Sequence, residues 1–188
     1  MRSFLAFSVD SKTRTLVADH ISSRKGEFRG ISWVPSRNLH ITVKFLGEID
    51  DLTCKSVENC LQESAPLLSP FSLTPEGGGC FPDPGRARVL FIAYSLDEPV
   101  MKWIHRLHTS LVSLGFPKEN RPFTAHLTLG RVRRPVPERQ IHRFLEETDQ
   151  LSLPKFEVQN ILMMESRLDP GGAIYSVHRT FSLGGGHA

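Results

Sequence analysis

Two short stretches of this sequence offer reactive side chains in a repeated pattern. His40-Ile41-Thr42-Val43 recurs as His126-Leu127-Thr128-Leu129, 86 residues later, and a glycine follows each copy at Gly47 and Gly130. Both copies are rich in β-branched and aliphatic residues, so each reads as a strand. Side chains alternate faces along a strand. That puts His40 and Thr42 on one face, ~7 Å apart, with Ile41, Val43 and Phe45 turned the other way into a core. Lys44 falls on the His40 face by the same parity. His126 and Thr128 share a face opposite Leu127 and Leu129. A single His-x-Thr is an ordinary strand face; two with the same apolar alternation imply two half-sites. The spacing is too long for a solenoid repeat and suits two related lobes facing one another.

An imidazole titrates near ~6.5 in water, so two in one cleft can supply an acid and a base close to neutral pH. One takes a proton from water while the other gives one to a departing alkoxide. Two threonine hydroxyls between them can donate hydrogen bonds to an anion. A phosphate diester fits, having a nucleophile side, a leaving side and two non-bridging oxygens. Histidine pairs also bind zinc, but no third ligand stands at the usual spacing and threonine is a poor zinc ligand, so no metal is expected there.

The remaining elements must position these strands. Phe4 to Val9 is a compact apolar run that reads as a buried strand, and Asp10 or Ser11 caps a helix carrying Leu16, Val17, His20 and Ile21. A second helix runs from Asp50 and Asp51 through Val57 and Leu61. Phe71 to Thr74 reads as a strand ended by Pro75 and the glycines at 77–79, and Val89 to Tyr94 as another. Val100, Ile104, Leu107, Leu111 and Leu114 form one stripe of a third helix, which Gly115 closes. His105 and His108 lie off that stripe and read as surface residues. A fourth helix spans about Pro137 to Glu147. Two last strands, Phe156–Met164 and Ile174–Leu183, flank a turn at Asp169-Pro170-Gly171-Gly172. Without strict βαβ alternation this is an α+β fold: bilobal and pseudo-two-fold, with mostly antiparallel sheets lining a central cleft and helices outside. One domain is expected over 1–188, with a disordered tail at 184–188.

Composition excludes several classes. With 39% hydrophobic and 23% charged residues the 188-residue chain is neither disordered nor in need of a staple. No apolar run approaches the ~20 residues of a membrane span, and the N-terminus is not a signal peptide. The three cysteines include no Cys-x-x-Cys pair, which argues against a disulfide framework and a cysteine zinc site and fits a reducing, cytoplasmic setting. The net charge of +3 permits an anionic ligand without demanding one. Arg131, Arg133, Arg134, Arg139, His142 and Arg143 crowd one stretch, which suits a solvated surface or an RNA-facing one.

The segments Leu39 to Glu48 and Arg121 to Arg131 closely resemble the signature of the RNA 2′,3′-cyclic phosphodiesterases, also called 2′-5′ RNA ligases, within the two-histidine phosphoesterase superfamily. Arg2 to Phe7, Trp33-Val34-Pro35, Phe81-Pro82 and Arg88 to Phe91 match further segments, so the resemblance spans nearly the whole chain. Phe91 and Ala125 depart from the tryptophan and proline of many relatives. The resemblance implies hydrolysis of a terminal ribose 2′,3′-cyclic phosphate to a 2′-phosphomonoester without metal or other cofactor, and a reversible, ATP-independent joining of RNA through a 2′-5′ bond. By residue it implies His40 as proton donor, His126 as proton acceptor, Thr42 and Thr128 on the phosphate oxygens, and Arg131 as a supporting cation; Lys44, by its place on the His40 face, is expected as a second. Its partner would be RNA with a 2′,3′-cyclic phosphate end, tRNA fragments among the candidates, and the protein is expected to be a monomer that meets no membrane. Arg131 lies an odd number of residues from His126, so an unbroken strand aims it out of the cleft and a bulge at Gly130 would bring it back. Two other readings stay open: an RNA-end-binding module with little turnover, and a phosphodiesterase for a small cyclic nucleotide.

Overall fold

The computed structural model describes residues 1–170 and 172–184. Among the described residues nine strands, β1 (Arg2–Ser8), β2 (Ile31–Trp33), β3 (His40–Glu48), β4 (Phe71–Phe81), β5 (Val89–Ser95), β6 (His126–Val132), β7 (Phe156–Val158), β8 (Asn160–Asp169) and β9 (Gly172–Ser182), run in the order β7-β4-β5-β6-β3-β1-β8-β9, with β2 against β6. Every pairing is antiparallel. The α+β expectation and its antiparallel sheet hold.

The sheet has two halves that meet at a single residue pair. β3 and β6 touch through Ile41 opposite Leu127, the middle residues of the two His-x-Thr copies. Both side chains are fully buried, each contributing roughly 1.5–3 kcal/mol. Beyond that seam β6 pairs with β2, from Gly130 to Val132. Gly130 permits this approach, since a Cβ there would lie 2.7 Å from the Ile31 side chain.

Among the described residues four helices brace the halves: α1 (Ser11–Arg24), α2 (Asp51–Ser64), α3 (Glu98–Ser113) and α4 (Glu138–Asp149). Asp10 and Asp50 cap α1 and α2 through their carboxylates. α1 meets α4 where His20 Nε2 lies 3.1 Å from Thr148 Oγ1; α2 meets α3 where Trp103 Nε1–H donates to the Ser64 carbonyl at 2.8 Å. Among the described residues no helix is long and apolar enough to cross a membrane.

Several expected boundaries need correction. Pro75 and the glycines do not end β4, which runs on to Phe81 with Glu76 bulged out of its ladder to β5. The glycines serve close approach instead. A Cβ on Gly78 would meet the Leu145 carbonyl of α4 at 3.0 Å, and one on Gly79 the Phe91 ring at 2.5 Å. Gly79→Ala is therefore expected to cost ~1–3 kcal/mol by forcing Phe91 aside. An unchanged denaturant midpoint in that variant would show the ring to be free to move. The expected strand from Phe156 to Met164 is two, broken at Gln159: β7 pairs with β4 in one half and β8 with β1 in the other. Residues 31–33 form the short strand β2. Of the expected disordered tail, Gly184 is held by its N–H donating to the Leu68 carbonyl at 2.9 Å, and residues 185–188 lie outside the described residues.

Candidate active site

The seam register, carried one residue either way, sets His40 across from Thr128 and Thr42 across from His126. The four groups thus flank the Ile41–Leu127 pair, two from each strand. The two histidines are anchored alike. His40 Nδ1–H donates to the Asn38 carbonyl at 2.6 Å, and His126 Nδ1–H to the Thr124 carbonyl at 2.8 Å, two residues upstream in both cases. A carbonyl can only accept, so Nδ1 keeps its proton in each ring. Nε2 is left as the one nitrogen able to exchange a proton. In His40 it lies 3.0 Å from Thr42 Oγ1, whose hydroxyl can donate to the neutral ring or accept from the charged one.

The surroundings of the two rings differ. His40 packs against Phe4 (centroids 4.7 Å) and the edge of Tyr175 (5.2 Å). His126 meets Phe81 and Phe91 edge-on at 5.3 and 5.4 Å, and those two rings stack on each other at 4.3 Å. Burial pushes His40 down to about 4; the positive potential of His126, Arg131 and Arg14 acts the same way, against the opposing bond to Asn38. His40 is therefore neutral at pH 7 until an anion enters beside it.

A bulge in each strand, at the third residue after each histidine, changes which side chains reach the cleft. Lys44 pairs with Leu5 and Thr42 with Ala6, leaving Val43 bulged; Gly130 pairs with Leu90 and Thr128 with Phe91, leaving Leu129 bulged. Each bulge reverses the parity downstream. The fifth residue after each histidine then returns to the cleft: Arg131 in one copy and Phe45 in the other. Phe45, expected in the core, is 64% exposed beside His40 and Thr42. Lys44 is turned inward instead of standing on the His40 face. It is buried, with Nζ donating to the Pro117 carbonyl at 2.8 Å and paired with Glu119. The bulge that would aim Arg131 inward falls at Leu129, one residue before the expected glycine.

A family model described as LigT-like phosphoesterase matches residues 15–91 and 92–175, with one His-x-Thr copy in each. This chain belongs to the LigT-like phosphoesterase family. It is 34% identical over 181 residues to a protein of Archaeoglobus fulgidus named RNA 2′,3′-cyclic phosphodiesterase, covering 96% of this chain and 99% of that one. A protein of the same name from Methanothermobacter thermautotrophicus is 28% identical, covering 97% and 99%. Among solved structures, a Thermus thermophilus protein superposes with a TM-score of 0.81 at 27% identity, covering 100% of both chains. The E. coli LigT structure with 3′-AMP shares the fold at a TM-score of 0.74 and 21% identity, covering 97% of each.

Around its paired motifs this LigT-like phosphoesterase forms two recesses that share Thr42 and Phe45. One, about 190 Å³, is cationic and polar, lined by Arg37, Asn38, His40, Thr128, Arg131 and Arg133. The other, about 610 Å³, is largely apolar, with Phe81, Phe123, Pro122 and His126 in its wall and Arg121 at hand. The cation run expected from residue 131 onward thus reaches the cleft through Arg131 and Arg133, while Arg143 is paired with Glu27 and Glu147. His108, expected on the surface, lines the apolar recess; its Nε2–H donates to the carbonyl of the bulged Val43 at 3.0 Å. It ties α3 to the point where β3 changes parity. Tyr175, Phe4 and Phe81 were not identifiable as site residues, because strand pairing brings them in from distant segments.

Proposed function

We propose that this phosphoesterase opens the terminal 2′,3′-cyclic phosphate of RNA to a 2′-phosphomonoester. The observation that carries the reading is the matched anchoring of His40 and His126, which leaves one proton-exchanging nitrogen on each side of a seam lined by hydroxyls. The names carried by the relatives in Archaeoglobus and Methanothermobacter agree with it. His126 Nε2 takes a proton from water, and the water oxygen bonds to phosphorus. The bond from phosphorus to the ribose 3′ oxygen breaks, and His40 Nε2 gives that oxygen its proton. Thr42, Thr128 and Arg131 hold the non-bridging oxygens as negative charge grows on them. A ribose 5′-hydroxyl in place of water gives a 2′-5′ linkage and the same free 3′-hydroxyl, which is the joining reaction.

His40 must carry a proton to act as donor, and burial opposes that. A phosphate anion between the strands favours the imidazolium, so substrate itself loads the donor. The pH dependence follows. Plotted against pH, kcat/KM is expected to be bell-shaped with its acid limb near the value of about 4 set by His40 in the free protein. Below that limb both rings are charged and no base remains. Between the limbs the pair holds one proton, with apparent pKa values that belong to the pair. In kcat the acid limb moves up, because bound anion raises His40. A kcat/KM profile flat down to pH 3, or a limb unmoved between the two plots, would contradict this reading.

The direct test is incubation of an oligonucleotide ending in a 2′,3′-cyclic phosphate with the protein in excess EDTA, followed by identification of the end. A 2′-phosphate formed at an undiminished rate is the expected result. Tight binding of the end without turnover would replace the enzyme by an RNA-end-binding module. Loss of rate on chelation, restored by zinc or manganese, would overturn the metal-free mechanism.

A further inference from the structure

Away from both recesses, a cysteine, a glutamate and a histidine converge between α2 and the edge strand β9. Cys54 and Glu58 are one helical turn apart on α2 and share a face. His178 comes from β9, where Met163 pairs with Arg179 and Met164 with Val177, so His178 is the bulged residue. A bulge at a sheet edge re-aims a side chain, and here it brings the imidazole to the helix. The same three atoms make all the contacts. Cys54 Sγ lies 3.5 Å from His178 Nε2 and 3.9 Å from Glu58 Oε1, and Nε2 lies 2.9 Å from Oε1. Among the described residues this is the one group of its kind.

We propose that Cys54, Glu58 and His178 form a binding site for a thiophilic divalent cation of the zinc class. Zinc bonds of ~2.3 Å to sulfur and ~2.0–2.1 Å to nitrogen or oxygen make tetrahedral edges of ~3.5 Å (S to N or O) and ~3.3 Å (N to O). The three observed separations lie within a few tenths of an ångström of those edges, so the triad already outlines one face of the tetrahedron. The chemistry of the set is that of zinc: thiolate, imidazole and carboxylate together, with the fourth position open to water. Arg179 supports the geometry from outside. Its Nη1 donates to Glu58 Oε2 at 2.5 Å, which fixes the carboxylate and leaves Oε1 facing the other two ligands. Binding displaces the thiol proton and takes His178 as the neutral imidazole, with Nε2 on the ion and the ring proton on Nδ1, with no redox change. None of the three residues lines either recess, so the ion takes no part in the phosphate chemistry. It clasps α2 to β9, joining residues 120 and more positions apart in the chain.

The test is titration of the EDTA-stripped, dialysed protein with Co²⁺, read by the near-ultraviolet sulfur-to-cobalt charge-transfer band, and with Zn²⁺ by calorimetry. One equivalent of each ion is expected, with Zn²⁺ displacing Co²⁺. Cys54→Ser abolishes the band. His178→Gln weakens binding by at least the ~10–100-fold that loss of an outer partner costs at such sites. Cys60→Ser and Cys80→Ser keep the band. Absence of a band in the parent protein, a band that persists in Cys54→Ser, or affinity unchanged in His178→Gln would each overturn the proposal.

Discussion

Single-turnover hydrolysis of a 2′,3′-cyclic-phosphate oligonucleotide is expected to fall ~10²–10⁴-fold in His40→Ala and by a similar factor in His126→Ala. Each change removes the Nε2 through which one proton moves, while the Asn38 or Thr124 carbonyl that aimed it stays in place. The two protons move in one displacement, so the double variant should lose much less than the product of the two single losses. Affinity for the same oligonucleotide should change far less than rate, because Thr42, Thr128 and Arg131 still meet the phosphate. Near-parental turnover in either single variant would remove the acid–base assignment. Fully multiplicative losses would mean that the histidines act in separate steps.

The second large effect separates the two cations that strand parity alone places differently. Arg131→Gln is expected to lower the rate ~10²–10³-fold, the usual consequence of removing one preorganised donor from developing oxyanion charge. It should weaken substrate binding as well, since the phosphate is already anionic before reaction. Lys44→Met should behave in the opposite way. Its ammonium is buried and engaged by Glu119 and Pro117, so its removal registers in stability and leaves phosphate affinity close to parental. Measuring the affinity for inorganic phosphate and the denaturant midpoint of both variants decides the matter. A loss of phosphate affinity in Lys44→Met that matched Arg131→Gln would place the lysine at the phosphate after all.

The paired His-x-Thr motifs were legible because alternation and an internal repeat are properties of the residues themselves. So were the α+β class and most helices, whose caps and stripes are local. What was not legible arose wherever one residue slipped out of a ladder. The bulge at Val43 exposed Phe45 at the cleft and sank the Lys44 ammonium against Pro117 and Glu119, and nothing in the run His40 to Leu46 marks Val43 and Leu46 as the residues β1 leaves unpaired. The bulge at Leu129 was foreseeable only one position away, from the glycine beside it. The glycines at 77–79 read as a terminator because their reason lies in α4 and Phe91, which approach from elsewhere. His108 read as surface because its partner is a main-chain carbonyl on another element. The triad on α2 and β9 escaped for the same cause, its histidine standing 124 residues from its cysteine.

The order of the strands in space differs from the order in which they are made. β1 lies between β3 and β8, and the chain crosses from one half of the sheet to the other at Gln159. During synthesis the half holding β4, β5 and β6 has all its long strands before β8 leaves the ribosome. β1 and β3 must wait, with the ladder edge from Ser3 to Ala6 open and the apolar Phe4, Leu5 and Ala6 along it. Tyr175, which closes the pocket around His40, arrives later still. A nascent chain therefore completes the surroundings of His126 before those of His40, and a chain stopped short of β8 leaves the β1 edge unpaired.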